Sequence, residues 1–264
     1  MNKPQPHPTV DLFDLNICRL SFDQASAELV RAARACQQAG AASKVVVTPN
    51  VDHLVRLTQQ TEFRQRYATA DYIFADGMPV VWASRWFGKA LPERVTGADL
   101  FVSLCQQAIQ DKLKVFVLGG MPGEEASLLA DFAKTYPGLE LKIRCPAMGF
   151  DAMGAEADLA LQDIKQWQPQ ILFICLGMPK QEQFALRYRE LSDVPPCLCL
   201  CVGAAMEFAL GKKSRAPRWM QKAGLEWSWR LVSEPRRLAR RYIVQGWGFL
   251  GLLWRERGRK TASR

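Results

Sequence analysis

Apolar runs rich in β-branched residues alternate along this chain with segments whose apolar positions recur every three or four residues. Runs of the first kind are typical of buried parallel strands, and segments of the second kind are typical of connecting helices. The predicted strands are Lys44–Thr48, Tyr72–Ala75, Lys114–Leu118, Glu140–Cys145, Ile171–Leu176 and Leu198–Val202. The predicted helices are Phe22–Gln38, Val51–Tyr67, Gly97–Gln110, Gly123–Tyr136, Ala155–Trp167 and Gln181–Leu191. The pattern predicts an α/β fold, a Rossmann-like and mostly parallel sheet with flanking helices.

Charge divides the chain near Gly211. Residues 1–211 carry 20 Lys/Arg and 23 Asp/Glu, a net charge of −3. Residues 212–264 carry 15 Lys/Arg and three Asp/Glu, a net charge of +12. The basic segment also holds five of the eight tryptophans, and Ser233-Glu234-Pro235 is a helix-start signal. We therefore predict an α/β catalytic domain over 1–211 and a basic helical appendage over 212–264. Lys and Arg attract anionic headgroups and Trp favours the lipid interface, so the appendage is predicted to bind a membrane.

Composition disfavours several classes of protein. The first residues lack the apolar stretch of a secretory signal, and no apolar run is long enough to span a bilayer. The segment Tyr242–Trp254 is too short to cross, and it either anchors at the lipid interface or packs on protein. The eight cysteines form no C-x-x-C pair, so no metal site is predicted. Cys197, Cys199 and Cys201 alternate with leucines and are predicted to be core residues of one strand.

Polar and Gly-rich strings follow the predicted strands, where open α/β sheets bind their ligands. Asp76, in the string ADG, is the candidate general base, although the tripeptide alone also fits a simple Asp-Gly turn. Thr48 and Asn50 follow the first strand. Gly119 and Gly120 either let backbone N–H groups approach a diphosphate or serve only tight packing. The loop lacks the full G-x-G-x-x-G and P-loop patterns.

The string LGMPKQE places Lys180 and Gln181 in the first turn of a predicted helix. Gln181 could hydrogen-bond a base or a sugar, and Glu182 is interpreted as favouring the helix dipole. Arg94, in ERVTG, is either a surface side chain or a diphosphate clamp.

Three arginines of the appendage, Arg230, Arg237 and Arg240, are spaced by seven and three. They would share a face on a continuous helix, although Pro235 can interrupt that helix. No D-x-D triplet for a metal-bound diphosphate occurs, so the leaving diphosphate would be neutralised by Arg, Lys and backbone N–H groups.

Seven strings occur in a fixed order and together resemble the WecG/TagA/CpsF family of glycosyltransferases, glycosyltransferase family 26. They are TPN (48–50), ADGMPVV (75–81), ERVTGADL (93–100), VFVLGG (115–120), LGMPKQEQF (176–184), VGAAMEFALG (202–211) and RAPRWMQKAGLEWSWRLVSEPRR (215–237). A departure is Ala204, where a second glycine is common in the family.

The resemblance implies a metal-independent, inverting transferase with a UDP-sugar donor and a polyprenyl-diphosphate-linked sugar acceptor. It implies a peripheral enzyme at the cytoplasmic face of the inner membrane, with an anionic membrane surface as partner. Neither a cofactor nor nucleic acid is implied, and a homo-oligomer is left open.

The resemblance also implies roles for the candidate residues. Asp76 becomes the base that deprotonates the acceptor hydroxyl, and Thr48 and Asn50 line the pocket beside it. Arg94 and Gln181, with Lys180 and the Gly119–Gly120 loop, are expected to contact the donor or the acceptor diphosphate. The arginines Arg230, Arg237 and Arg240 match the family's C-terminal appendage and are expected at the membrane and the acceptor diphosphate.

The donor sugar and two other functions are left open. Members of the family use N-acetylmannosamine, its uronic acid or glucose. The sequence of the string ADGMPVVWAS favours glucose, because it resembles xanthan-type exopolysaccharide enzymes. One alternative is a dehydrogenase, for which Glu140 has the spacing of an acidic ribose partner. The other is a non-catalytic membrane or nucleic-acid adaptor, which the acidic body disfavours.

Overall fold

The computed structural model describes residues 7–38, 40–213, 216–217, 220, 229 and 235–262, and for 235–245 and 260–262 it describes the backbone alone. The strands are β1 Thr9–Leu12, β2 Leu15–Cys18, β3 Lys44–Val47, β4 Tyr72–Ile73, β5 Val115–Gly119, β6 Leu141–Arg144, β7 Ile171–Cys175 and β8 Leu198–Cys201. The helices are α1 Phe22–Ala35, α2 Val51–Gln59, α3 Thr61–Tyr67, α4 Met78–Trp86, α5 Gly97–Asp111, α6 Glu125–Thr135, α7 Ala155–Trp167, α8 Lys180–Glu190, α9 Ala205–Ala209 and α10 Pro235–Ala262.

A six-stranded sheet forms the centre of the molecule, in the order β4-β3-β8-β7-β5-β6. Every neighbouring pair in it is parallel. All six predicted strands occur in it, each with ends within two residues of the prediction. The predicted α/β fold with a parallel sheet and flanking helices is therefore confirmed.

Helices cover both faces of the sheet, which is why its strands read as continuous apolar runs. One face packs against α2, α3, α4, α7 and α8, and the other packs against α1, α5, α6 and α9. Cys199 and Cys201 point to the first face, whereas Leu198 and Leu200 point to the second. Both cysteines are buried, so their prediction as core residues is confirmed.

A β-hairpin formed by β1 and β2 precedes the sheet and was not predicted. Its turn residues Phe13 and Asp14 have φ of 57° and 61°, a left-handed conformation for which Gly and Asn are the usual residues. The Phe13 N–H donates to the Glu256 carboxylate of α10 at 3.3 Å, and the Phe13 ring packs edge-on against Phe87. Contacts distant in sequence therefore hold a turn that its local sequence does not signal.

The helices differ from the prediction in three places. The single helix predicted over Val51–Tyr67 is two helices, because Gln60 leaves the helical region with φ −130° and ψ 75°. Helix α4 was not predicted, since its residues are apolar without a clear period, and it begins after Gly77 with Pro79 in its first turn. The short helix α9 was also missed.

The last helix, α10, is described over Pro235–Ala262, which fits the helical character predicted for this part of the appendage, and its second half packs on the body. Gly248 lies so close to Val55 of α2 that a Cβ on it would be 2.6 Å from a Val55 methyl carbon. Leu252 is buried in the core on the same side. Of the two alternatives for Tyr242–Trp254, packing on protein is therefore correct for the helix face that carries Gly248 and Leu252.

Polar contacts also fasten α10. Glu256 is only 4% exposed and accepts from Lys89 Nζ at 2.8 Å as well as from the hairpin turn. Arg259 pairs with Asp11 and Asp14 of the hairpin. Among the helices that the structure describes, none combines the length and the apolar character that a membrane span requires.

Candidate active site

The candidate residues are brought together by the direction of the strands. Because the six strands are parallel, their carboxyl ends meet at one edge of the sheet. The loops after β4, β3, β8, β7 and β5 lie side by side there, in that order. We call this row of loops the catalytic edge.

Asp76 lies half-buried in the loop after β4. Its N–H donates to the Pro49 carbonyl at 3.0 Å, which ties this loop to the one that carries Thr48 and Asn50. Gly77, with φ of 144°, then leads directly into α4. The ADG string is therefore the link from a strand to a helix rather than an isolated turn, and it fixes the Asp76 backbone at the catalytic edge.

Thr48 and Asn50 are held by the helices that start beside them. The side-chain oxygen of Asn50, Oδ1, accepts from the His53 N–H at 3.1 Å and caps α2. The side-chain NH₂ group of Asn50 is therefore the part left to donate to a ligand. Thr48 is buried, and its Oγ1 lies 3.1 Å from the position that a Cβ on Gly97 would occupy. Gly97 at the start of α5 therefore leaves room for the Thr48 hydroxyl.

Arg94 lies in the segment that runs beside Asp76. The N–H of the next residue, Val95, donates to the Ala75 carbonyl at 3.0 Å. This bond brings Arg94, which is half-buried, to the same loop as the candidate base. The position fits the predicted contact with a donor or acceptor diphosphate, which stays a prediction.

Gly119 and Gly120 are required by packing. A Cβ on Gly119 would lie 2.6 Å from Cys175 Cβ, and one on Gly120 would lie 2.8 Å from Cys145 Sγ. In the same loop the Met121 N–H already donates to the Glu124 carboxylate at 3.1 Å. The tight-packing interpretation therefore accounts for both glycines, and their contact with a diphosphate stays a prediction.

Gln181 joins two loops of the catalytic edge. Its side-chain oxygen accepts from the Gly203 N–H at 2.9 Å and from the Gly177 N–H at 3.2 Å, after β8 and β7 respectively. Its side chain is buried, whereas Lys180 beside it is half-buried at the first position of α8. Gln181 therefore holds the backbone of these two loops together. The predicted contacts of Gln181 and Lys180 with a substrate stay predictions.

Glu182 is the site residue that the sequence interpretation missed. It was interpreted as a dipole-favouring residue of the first helical turn, yet it is 1% exposed and accepts from Gln181 Nε2 at 2.8 Å. Burial raises the pKa of Glu182 to about 7, against the opposing effects of the Gln181 hydrogen bond and Arg56. Its place three and four residues before Ala185 and Leu186, on the buried face of α8, was the available signal.

The raised pKa of Glu182 predicts a pH-dependent stability. The folded protein keeps this proton up to about pH 7, whereas the unfolded chain releases it near the ordinary pKa of 4.5, so the free energy of unfolding falls as pH rises between these values. Glu182→Gln removes the cost of the buried charge, and we expect it to stabilise the protein at pH 8 by on the order of 3 kcal/mol. Urea unfolding at pH 8 and at pH 4.5 measures the difference, which should vanish at the lower pH.

The matched control is Glu190→Gln, at the exposed end of the same helix. We expect its stability relative to the wild type to change little between the two pH values. An equal gain for Glu182→Gln at both pH values would contradict the buried ionisation.

The structure describes only part of the three arginines predicted to be functional in the appendage. Arg230 lies outside the described residues, and of Arg237 and Arg240 only the backbone is described. Both belong to α10, where a spacing of three places them on one face. Whether they share that face with Arg230 stays a prediction. Their contacts with a membrane or a diphosphate stay predictions.

Two alternatives can be compared with the fold. Glu140 immediately precedes β6, so it lies at the opposite edge of the sheet from Gly119 and Gly120. An acidic partner of a ribose would have to lie at the carboxyl ends of the strands. Glu140 does not lie there, so it cannot serve as the ribose partner that the dehydrogenase alternative requires. Within the described residues, no group of three or more His, Cys, Asp or Glu side chains is arranged to hold a metal ion.

A parallel α/β sheet with Asp76 and polar loops along one edge defines the class of Rossmann-like enzymes. The chain belongs to the family described as Glycosyl transferase WecG/TagA/CpsF family, whose profile matches residues 10–263. It is therefore a glycosyltransferase, as the seven ordered strings predicted, and the adaptor alternative is excluded.

Two characterised relatives are both N-acetylglucosaminyldiphosphoundecaprenol N-acetyl-beta-D-mannosaminyltransferases. The one from Bacillus spizizenii is 31% identical over 195 residues, which cover 74% of this chain and 73% of the relative. The one from Bacillus subtilis is 27% identical over 217 residues, which cover 82% of each chain. The similarity extends over most of both proteins.

Proposed function

We propose that this chain transfers a hexosyl residue from a UDP-sugar to a sugar carried on polyprenyl diphosphate, with inversion and without a metal ion. The observation that carries the proposal is Asp76, held half-buried at the catalytic edge by its bond to the Thr48–Asn50 loop. The acceptor class rests on the two relatives, whose names specify N-acetylglucosaminyldiphosphoundecaprenol.

The reaction is a single displacement at the anomeric carbon of the donor. Asp76 takes the proton of the acceptor hydroxyl. The oxygen of this hydroxyl bonds to the anomeric carbon at the same time, and the bond between that carbon and the UDP oxygen breaks. An α-linked donor then yields a β-linked product. Arg94 and Lys180 are the cations at this edge that can neutralise the departing diphosphate.

Two donor sugars deserve a direct comparison. The names of both relatives specify an N-acetyl-beta-D-mannosaminyl group, whereas the ADGMPVVWAS string of this chain favours glucose. We propose glucose, as in assembly of an exopolysaccharide, with N-acetylmannosamine as the competing donor.

The test is UDP release from UDP-glucose, UDP-N-acetylmannosamine and its uronate, with and without a short-chain polyprenyl-diphosphate sugar. Release that needs the acceptor, occurs with one donor and persists in EDTA supports the proposal. Preference for UDP-N-acetylmannosamine would overturn the glucose assignment and retain the reaction. No acceptor-dependent release with any donor would overturn the reaction itself.

We further propose that the protein binds the membrane surface through the outward face of α10. Trp247 and Trp254 are 72% and 81% exposed, and Leu250 between them is also exposed. Their spacing of three and four places them on one stripe, opposite the side that packs on the body. The exposed Arg255 and Arg257 adjoin the stripe, which suits anionic headgroups.

A second pair of exposed tryptophans lies on α4. Trp82 and Trp86 are exposed one turn apart on α4, the helix that follows Asp76. Trp86 stacks on Phe87 at 5.4 Å, and Phe87 packs on the hairpin turn against which α10 docks. A chain of aromatic contacts therefore links α10 with α4, the helix that follows the candidate base, and a lipid-linked acceptor would have to enter on this side.

Replacing both tryptophans of the stripe tests the membrane proposal. Trp247→Ala with Trp254→Ala should lower partitioning into vesicles of phosphatidylglycerol and phosphatidylcholine in equal parts by on the order of tenfold, since apolar area no longer enters the interface. The melting temperature should not change, because both side chains are exposed. Co-sedimentation at low and high salt measures the loss and its electrostatic part.

The control is Met148→Ala with Met153→Ala, which removes two exposed apolar side chains from the body. This variant should bind vesicles as the wild type does. An equal loss in both variants, or in neither, would refute the assignment of the docking face to α10.

A further inference from the structure

A buried polar network lies beneath the catalytic edge. Glu182 accepts from Gln181 Nε2 at 2.8 Å, and the Gln181 oxygen accepts from the N–H groups of Gly203 and Gly177. Gln181 and Glu182 are both almost completely buried, at 2% and 1% exposure. The network therefore connects one carboxyl group in the core to two loops of the site.

The bond to Glu182 decides how the Gln181 amide is oriented. A glutamine amide can rotate by half a turn and exchange its oxygen for its NH₂ group. The Gly203 and Gly177 N–H groups require the oxygen, whereas Glu182 requires the NH₂ group. Glu182 thus selects the one orientation in which both glycine N–H groups have an acceptor.

The surroundings of Glu182 connect it to the region of the candidate base. The hydroxyl of Tyr67 is buried, and its pKa is raised by burial first and then by the nearby carboxylates of Glu182 and Asp76. Neither Tyr67 Oη nor Glu182 Oε2 has a hydrogen-bond partner in the described parts of the chain. A packing role alone would be filled better by an apolar residue here, because an incompletely bonded buried carboxyl group costs stability.

We propose that Glu182 is a positioning residue of the transferase: by orienting Gln181, it fixes the loops after β7 and β8 in the geometry that receives the substrates. The expected effect on KM rests on the proposed function, whereas the expected effect on the order of the two loops does not. Lys180 follows the β7 loop directly, so the network would also fix the backbone position of this cation.

The test compares three variants of the full chain. Glu182→Leu has a similar volume and cannot accept from Gln181, whereas Glu182→Gln retains a carbonyl oxygen that can. Gln183→Leu, at the next and only half-buried position of α8, is the matched control. The readouts are KM and kcat with the active donor, amide hydrogen exchange over 176–179 and 202–204, and melting temperature at pH 8.

We expect Glu182→Leu to raise the KM for the donor by about tenfold or more, since small displacements of positioning groups cost up to a hundredfold. Exchange over the two glycine loops should accelerate, while the melting temperature stays at or above that of the wild type. Glu182→Gln should restore the KM to within about threefold and the slow exchange, because it retains the acceptor. Gln183→Leu should resemble the wild type throughout.

Unchanged exchange and kinetics in Glu182→Leu would overturn the inference, as would an equal loss in Glu182→Gln, because the acceptor would then not matter. A fall in activity that only follows a fall in melting temperature would also overturn it. If the wild type transfers no sugar at all, the proposed function fails, and the hydrogen-exchange comparison still decides whether Glu182 fixes the loops.

Discussion

Asp76→Asn is expected to lower kcat by about a thousandfold, within the range that positioned general bases contribute. The amide has the shape of the carboxylate but cannot take the proton from an acceptor hydroxyl. The Asp76 N–H, which donates to the Pro49 carbonyl, belongs to the backbone and is unaffected, so the fold and donor binding should persist. Acceptor-dependent UDP release measures kcat, and fluorescence titration measures donor binding.

The control for this variant is Asp193→Asn, which changes an exposed carboxylate in the loop before β8, at the opposite edge of the sheet. It should be as active as the wild type. If Asp76→Asn kept more than about a tenth of the wild-type kcat, the transferase would stand but another group would have to be its base.

Gly119→Ala is expected to destabilise the protein by about 3 kcal/mol, through overpacking together with a strained backbone conformation. A Cβ at this position would lie 2.6 Å from Cys175 Cβ and 2.8 Å from the Cys175 carbonyl oxygen. Both atoms belong to the neighbouring strand of the sheet, so neither can move without the sheet, and the Gly119 φ of 153° adds strain. Urea unfolding measures the loss.

Gly123→Ala separates the two causes. Gly123 also has a positive φ, of 84°, but a Cβ there would meet nothing within 4 Å. Its cost should be about 1 kcal/mol, from backbone conformation alone. Similar costs at both positions would mean that the close approach of β5 to β7 does not limit residue 119.

The parallel sheet could be predicted because its strands are buried on both faces. KVVV, VFVLG and ILFIC are continuous apolar runs, and the polar strings after them mark one edge of the sheet. The direction of the strands then determines that Asp76, Thr48 and Gln181 share that edge, even though they are far apart in sequence. The shared direction of the strands therefore supplied most of the candidate site, whereas their order in the sheet was not predicted.

The parts that could not be predicted depend on contacts distant in sequence. The Phe13-Asp14 turn has no glycine, and Phe13 is an unusual residue for a left-handed conformation. Glu256 and neighbouring rings hold this turn. Glu182 carries the local signal of a helix N-terminus, and only the packing of α8 against the sheet buries it. For Tyr242–Trp254 the apolar content is visible in the sequence, and only the fold shows which side of the helix faces the body.

The contact of α10 with the hairpin has a consequence for how the protein is made. The hydrogen bond between Phe13 and Glu256 joins residues 243 apart, and Arg259 meets Asp11 across 248. During synthesis the first hairpin leaves the ribosome long before the helix that holds its turn. The central sheet can form in the meantime from strands closer in sequence, whereas the turn of the hairpin acquires its final packing only after α10 has been translated.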